Sequence, residues 1–277
     1  MDRIALYNDS FQNWKTHDIQ KAQLILTDIP YQLGTNAYGS NPMWYEGGDN
    51  SNGESKYAKK SFFDTDSKAG FRIEEFFHFC SNLLKKEPKE RNSAGCMLLF
   101  CAFEQQFELI EVAKKYGFAH CMNMVFYKNY SAQFLKANMR VVGNCEYALL
   151  FYRDKLPKFR NNKQMVFNCQ PWIDDGKTIP KIHPTQKPVA LLERLIGFFT
   201  DVDDVVIDCC AGSGTTLLAA ANLGRRAYGF ELKREYVQGF YKKLLPLRSV
   251  DMFSQAELDQ KQREKEQKIL QFKELQK

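Results

Sequence analysis

Residues 205–216 constrain the fold more than any other stretch. They read Val205-Val206-Ile207-Asp208-Cys209-Cys210-Ala211-Gly212-Ser213-Gly214-Thr215-Thr216. A β-branched run ends in an acid, a glycine turn follows, and a helix begins. A short run that is apolar at every position predicts a strand buried on both faces, as in a parallel sheet. Gly212 and Gly214 let the backbone approach a ligand where a Cβ would clash, and the helix amides at Thr215 and Thr216 then face that ligand. A second run, Ala227-Tyr228-Gly229-Phe230, ends in Glu231. Its carboxylate falls at the tip of the neighbouring strand, where it can accept hydrogen bonds from both hydroxyls of a ribose. This is the logic of a nucleotide-binding βαβ unit.

The rest of the chain repeats the alternation. Strands are predicted over 23–27, 96–103, 122–127, 147–152, 205–208 and 227–230, and helices over 73–86, 105–116, 189–199 and 215–223. The fold class is therefore α/β, a Rossmann-like sheet with helices on both faces. At 44% hydrophobic and 26% charged, the chain has enough apolar material to build a core. The uncharged run 209–224 is broken by glycines and too short to span a bilayer. Met1-Asp2-Arg3 leads into no apolar segment, so neither a membrane span nor a secretory signal is expected. Eight cysteines with no C-x-x-C pair predict reduced thiols in a cytoplasmic protein and no metal site.

The glycine turn narrows the ligand. A dinucleotide fingerprint needs glycine at 217, which is Leu217, and a P-loop needs a lysine that the turn lacks. Asp208, directly ahead of the turn, would repel a pyrophosphate but pair with an ammonium. A ligand with an adenine, a ribose and a zwitterionic amino-acid end fits, which is S-adenosyl-L-methionine.

The second chemical signal is Asp28-Ile29-Pro30-Tyr31, at the end of a predicted strand. An exocyclic amine on a nucleobase is a poor nucleophile, because its lone pair is delocalised into the ring. A carboxylate (Asp28) and a backbone carbonyl (Ile29) that each accept one N–H favour a tetrahedral nitrogen. Pro30 restricts Ile29 to an extended conformation and so aims that carbonyl. Tyr31 offers a face on which a flipped base can stack.

These residues resemble a known family. Asp28 to Tyr31 and Asp208 to Thr216 look like motifs IV and I of the DNA amino-methyltransferases, which act on adenine N6 or cytosine N4. His183-Pro184-Thr185-Gln186-Lys187-Pro188 is similar to their motif X, and Leu6-Tyr7-Asn8-Asp9 to motif III. The catalytic motif comes first and the cofactor motifs last, an order that resembles the β group, a permuted form of the methyltransferase fold. The resemblance implies methyl transfer from S-adenosyl-L-methionine to a flipped base in double-stranded DNA. It also implies that Asp9 contacts the cofactor adenine and that Lys187 is among the cofactor-binding residues. An acid at position 28 resembles the adenine enzymes, since cytosine enzymes of this group usually carry serine there. The family usually has two prolines where this chain has Ile29-Pro30, and both chemical groups survive the change. Cytosine N4 methylation, an RNA substrate and a non-catalytic DNA-binding subunit are the rival readings.

The chain then divides into a catalytic half (1–33 and 71–150), a loop over the base pocket (34–70), a target-recognition segment (151–182), a cofactor-binding half (183–250) and a charged carboxyl-terminal helix (251–277). Residues 34–70 hold six of the sixteen glycines and no hydrophobic period, so a mobile loop is expected there, with Tyr38, Trp44 and Tyr45 on it. The net charge of +6 concentrates in residues 151–190. Arg153, Lys155, Lys158, Arg160, Lys163, Lys177, Lys181 and Lys187 face only Asp154, Asp174 and Asp175 there. Such a segment suits a polyanion. It is short for reading a long site, which implies lax specificity, a homodimer or a second recognition subunit.

Overall fold

The computed structural model describes residues 3–30, 71–130, 143–160 and 166–248. Tyr31, the loop 34–70, Asn161 to Gln164 of the recognition segment, and the tail 251–277 lie outside the described residues. Eight strands form one sheet: β1 (Ile4–Tyr7), β2 (Leu24–Asp28), β3 (Cys96–Cys101), β4 (His120–Tyr127), β5 (Cys145–Tyr152), β6 (Cys169–Pro171), β7 (Val205–Asp208) and β8 (Arg226–Phe230). Their order is β1-β8-β7-β2-β3-β5-β4-β6. From β1 to β3 the neighbours are parallel, and β5 is antiparallel to both β3 and β4. Against the sheet pack α1 (Ile73–Leu83), α2 (Gln106–Lys115), α3 (Val189–Phe199) and α4 (Thr215–Asn222), and α5 (Arg234–Gly239) follows β8.

Each predicted strand and helix within these residues is present, with ends moved by a few residues. Not predicted were β1, β6 and α5, all short. β6 contains Pro171 and lies at the sheet edge, where a missing N–H costs no ladder bond.

The apolar runs become strands buried on both faces. Leu24, Leu26, Leu98 and Phe100 pack with α3 and α4, while Ile25, Met97, Leu99 and Ile207 pack with α1 and α2. Alternation within each strand thus builds a core on either side. Helix α1 presents Ile73, Phe76, Phe77, Cys80 and Leu83 at helical spacing to one of them. Helix α3 follows Pro188, and Asp175 caps it by accepting from the Val189 and Ala190 N–H groups at 2.7 and 2.8 Å.

The first half of the basic window is spent inside the fold. Arg153 donates to the carbonyls of Lys85 and Ser81, and Lys155 to that of Pro88. Lys158 pairs with Asp201 and Asp204 at 2.8 and 2.7 Å, and Arg160 with Asp201 at 2.9 Å. These groups follow the antiparallel β5 to the rim where the parallel strands begin. The site lies at the other rim, to which the window returns when β6 pairs with β4 over Val125–Tyr127.

Connections leave β7 and β2 in opposite directions: β7 leads to β8 on one side, β2 to β3 on the other. Their carboxyl ends therefore open a crevice, the usual ligand position in such sheets.

Close packing beside it depends on Gly229 in β8. A Cβ there would lie 2.8 Å from Leu217 Cδ1 and 3.1 Å from both Ala211 Cβ and Leu6 Cδ1. Valine is a favoured strand residue, yet Gly229→Val is expected to destabilise the protein by about 1–3 kcal/mol through overpacking. Urea denaturation checks this, and a raised midpoint would contradict it.

Candidate active site

Asp28 ends β2 and Asp208 ends β7, so the two acids face the same crevice. Asp208 is buried. It accepts from the Thr27 hydroxyl at 2.7 Å and from the Cys210 N–H at 3.1 Å. Burial pushes its carboxyl up to about 6, against the hydrogen bonds from Thr216, Thr27 and Cys210; the negative charge of Asp28 adds to the rise. Thr27 was not singled out from the sequence. It lies one residue before Asp28 and ties β2 to β7.

The turn after β7 is held by glycines and by Glu231. Gly212 and Gly214 have φ of 51° and 78°, a region that favours glycine. At Gly214 a Cβ would also fall 2.5 Å from the Phe240 ring. Glu231, at the tip of β8, accepts from the Gly212 N–H at 2.9 Å and the Lys233 N–H at 2.7 Å. This brace between strand tip and turn was not foreseen. Thr215 and Thr216 open α4 and are buried.

On the other side of the crevice, the Ile29 N–H donates to the Phe100 carbonyl at 3.2 Å, and the Ile29 side chain is buried in the core. A proline at 29 could make no such bond, so the departure from the family pattern replaces ring stiffness with a hydrogen bond and packing. Gln105 completes the support: its amide donates to the Pro30 carbonyl at 3.0 Å and accepts from the Ala102 N–H at 3.0 Å.

Lys187 lies in the same crevice, between two carboxylates. Its ammonium contacts Asp28 Oδ2 at 2.5 Å and approaches Glu146 Oε2 at 3.8 Å. Burial opposes the charge, but Asp28, Glu146 and Asp208 outweigh it and raise the lysine pKa. Asp9 caps its own loop. It accepts from the Ser10 N–H and the Asn13 amide, both at 2.7 Å, and pairs with His17 at 2.9 Å. The hydrogen bond from His17 is the largest cause holding its carboxyl below the ordinary value. His17 also lies 4.2 Å from the Tyr7 ring. His183 packs edge-on to Tyr236 at 4.5 Å and against Gly212. Burial, then Lys233, Lys187 and Lys181, push its pKa down to about 3. It is neutral near pH 7, in keeping with a packing role under the turn.

Asp208 makes a pH-dependent contribution to stability. The folded carboxyl holds its proton more tightly than the unfolded one, so the contribution is fully present below pH 3.8 and lost as pH rises through about 6. Asp208→Asn is therefore expected to be more stable than wild type at pH 8, by up to about 3 kcal/mol. Thermal denaturation should show that gap closing toward pH 4; a pH-independent gap would contradict the burial of a charge at this site.

Comparison with known proteins agrees with the geometry. The family profile described as DNA methylase matches residues 22–242. The DNA adenine methyltransferase YhdJ of Escherichia coli (strain K12) is 25% identical over 260 residues, covering 85% of this chain and 80% of YhdJ. Among solved structures, the M1.HpyAVI–SAM complex superposes with a TM-score of 0.61 at 24% identity, covering 86% of this chain and 98% of that one. The cytosine-N4-specific PvuII DNA methyltransferase shares the fold with a TM-score of 0.62 at 17% identity, over 92% of this chain and 90% of that one. The profile runs from the strand that carries Asp28, past the glycine turn, to the helical segment after Glu231, and the chain belongs to the N6/N4 family of S-adenosylmethionine-dependent DNA methyltransferases.

Proposed function

We propose that this enzyme methylates N6 of adenine in double-stranded DNA, with the target base flipped out of the duplex. The observation that carries the reading is the meeting of two acids in one crevice, Asp28 from β2 and Asp208 from β7, joined through Thr27. A cofactor held by Asp208 stands beside an amine held by Asp28.

The donor set suits S-adenosyl-L-methionine. Asp208 offers a carboxylate to the ammonium, and Glu231 offers acceptors to the ribose. The turn at Gly212 and Gly214 leads into the first amides of α4, at Thr215 and Thr216. Asp9 keeps its assignment to the cofactor adenine through the motif match, with His17 fixing its carboxylate. Lys187 keeps its place among the cofactor-binding residues through the motif match, and it also contacts Asp28 at 2.5 Å.

When bound, the cofactor supplies an activated methyl group on a sulfonium. Asp28 accepts one N–H of the adenine amine and the Ile29 carbonyl accepts the other, which turns the nitrogen lone pair toward the methyl. Asp28 also stabilises the positive charge that develops on nitrogen and accepts the proton it sheds, directly or through water. The stacking role of Tyr31 rests on the sequence. Adenine rather than cytosine is favoured by the acid at position 28 and by the similarity to the DNA adenine methyltransferase YhdJ.

Incubation with labelled cofactor and mixed duplex DNA, followed by mass analysis of the nucleosides, is expected to yield N6-methyladenine. N4-methylcytosine would replace the reading. Asp28→Ala is expected to abolish transfer with cofactor affinity nearly unchanged, and near-normal turnover would remove Asp28 from its role. Glu231→Ala is expected to weaken cofactor binding by about 10- to 100-fold, the worth of a charged hydrogen bond. Calorimetry showing wild-type affinity would exclude it from the ribose site.

A further inference from the structure

Lys187 stands between two carboxylates carried by different strands. Its ammonium is 2.5 Å from Asp28 Oδ2 on β2 and 3.8 Å from Glu146 Oε2 on β5. The lysine side chain is only 11% exposed, so solvent screens these charges weakly. Glu146 is itself held: its Oε1 pairs with Lys128 at 2.6 Å, and that ammonium lies 4.3 Å over the Trp172 ring. Neither Glu146 nor Lys128 falls within a motif singled out above.

An ammonium on Asp28 conflicts with methyl transfer. The amine nitrogen becomes positive as the methyl arrives, and a fixed cation on the same carboxylate opposes that charge. A shift of roughly 1 Å brings Lys187 from its present separation to charge-assisted contact with Glu146. We propose that Glu146 is a positioning residue for methyl transfer, drawing the Lys187 ammonium off Asp28 when the substrate amine takes that carboxylate. This rests on the reading of Asp28 as the acceptor of the amine. Lys128 holds Glu146 by Oε1 and leaves Oε2 as the oxygen nearest Lys187, and the carboxylates of Asp28 and Glu146 favour the charged form of Lys187. Without the charge at 146, Lys187 is held harder by Asp28 and competes with the substrate.

Glu146→Gln removes the charge and keeps the shape. Its single-turnover rate at saturating cofactor and DNA is expected to fall by about tenfold or more, the weight of one charge-assisted contact. Dissociation constants for cofactor and duplex and the melting temperature should stay near wild type, and Glu146→Asp should recover most of the rate. In a Lys187→Met background, adding Glu146→Gln should change the rate little, because the cation it acts through is gone. A wild-type rate in Glu146→Gln, an undiminished loss in the Lys187→Met background, or a rate that falls only with stability each overturn the inference. An active Asp28→Ala would instead remove the reading of Asp28. An inactive Asp28→Ala beside a fully active Glu146→Gln would remove the role of Glu146 alone.

Discussion

The pairing of β2 with β7 is the constraint on which the site depends. Leu24 lies opposite Val206 and Ile25 opposite Ile207, joining segments from opposite ends of the chain. All four side chains are fully buried. A slip of one residue would turn each strand's core-facing side chains to the wrong face, so register is firmly specified. Register then decides where the acids fall. Asp28 and Asp208 each terminate their strand, and the sheet leaves them at one crevice with no loop needed to bring them together.

Charge in that crevice is costly and is balanced locally. Asp208 is raised by burial and steadied by Thr27 and Cys210. Asp28 shares Lys187 with Glu146. Glu231 spends part of its carboxylate on the Gly212 and Lys233 amides, so the group read as a ribose acceptor also sets the turn that faces it. Groups in such a site are also structural groups, and the burial of the Asp208 carboxylate sets its charge against the stability of the fold.

The basic window shows how charge arithmetic misleads when read without topology. Lys158 and Arg160 neutralise Asp201 and Asp204, acids that lie outside the counted window, and Arg153 and Lys155 satisfy carbonyls near the end of α1 and beyond it. Four of its cations lace the rim opposite the site. The segment near β6, with Trp172 against Lys128, is the part that stands at the crevice rim.

The strands, the long helices and the two acidic strand ends were legible in the sequence, because each is encoded by neighbours in the chain. An unbroken apolar run reports burial on both faces, apolar residues at helical spacing report one buried face, and G-S-G after an acid reports a turn that only certain φ values allow. β6 and α5 were not legible, being too short for any period to emerge, and β1 lacks the β-branched run and glycine turn that mark β7, a strand of the same length. Nor were Thr27 on Asp208, Gln105 on Pro30, His17 on Asp9 and Lys187 on Asp28, since each pairing depends on which elements the sheet sets side by side. Sequence alone determined the fold class and which residue types stand at the strand ends; tertiary structure alone decided their partners, because hydrogen bonds and ion pairs act over a few ångströms of space, however many residues of chain lie between.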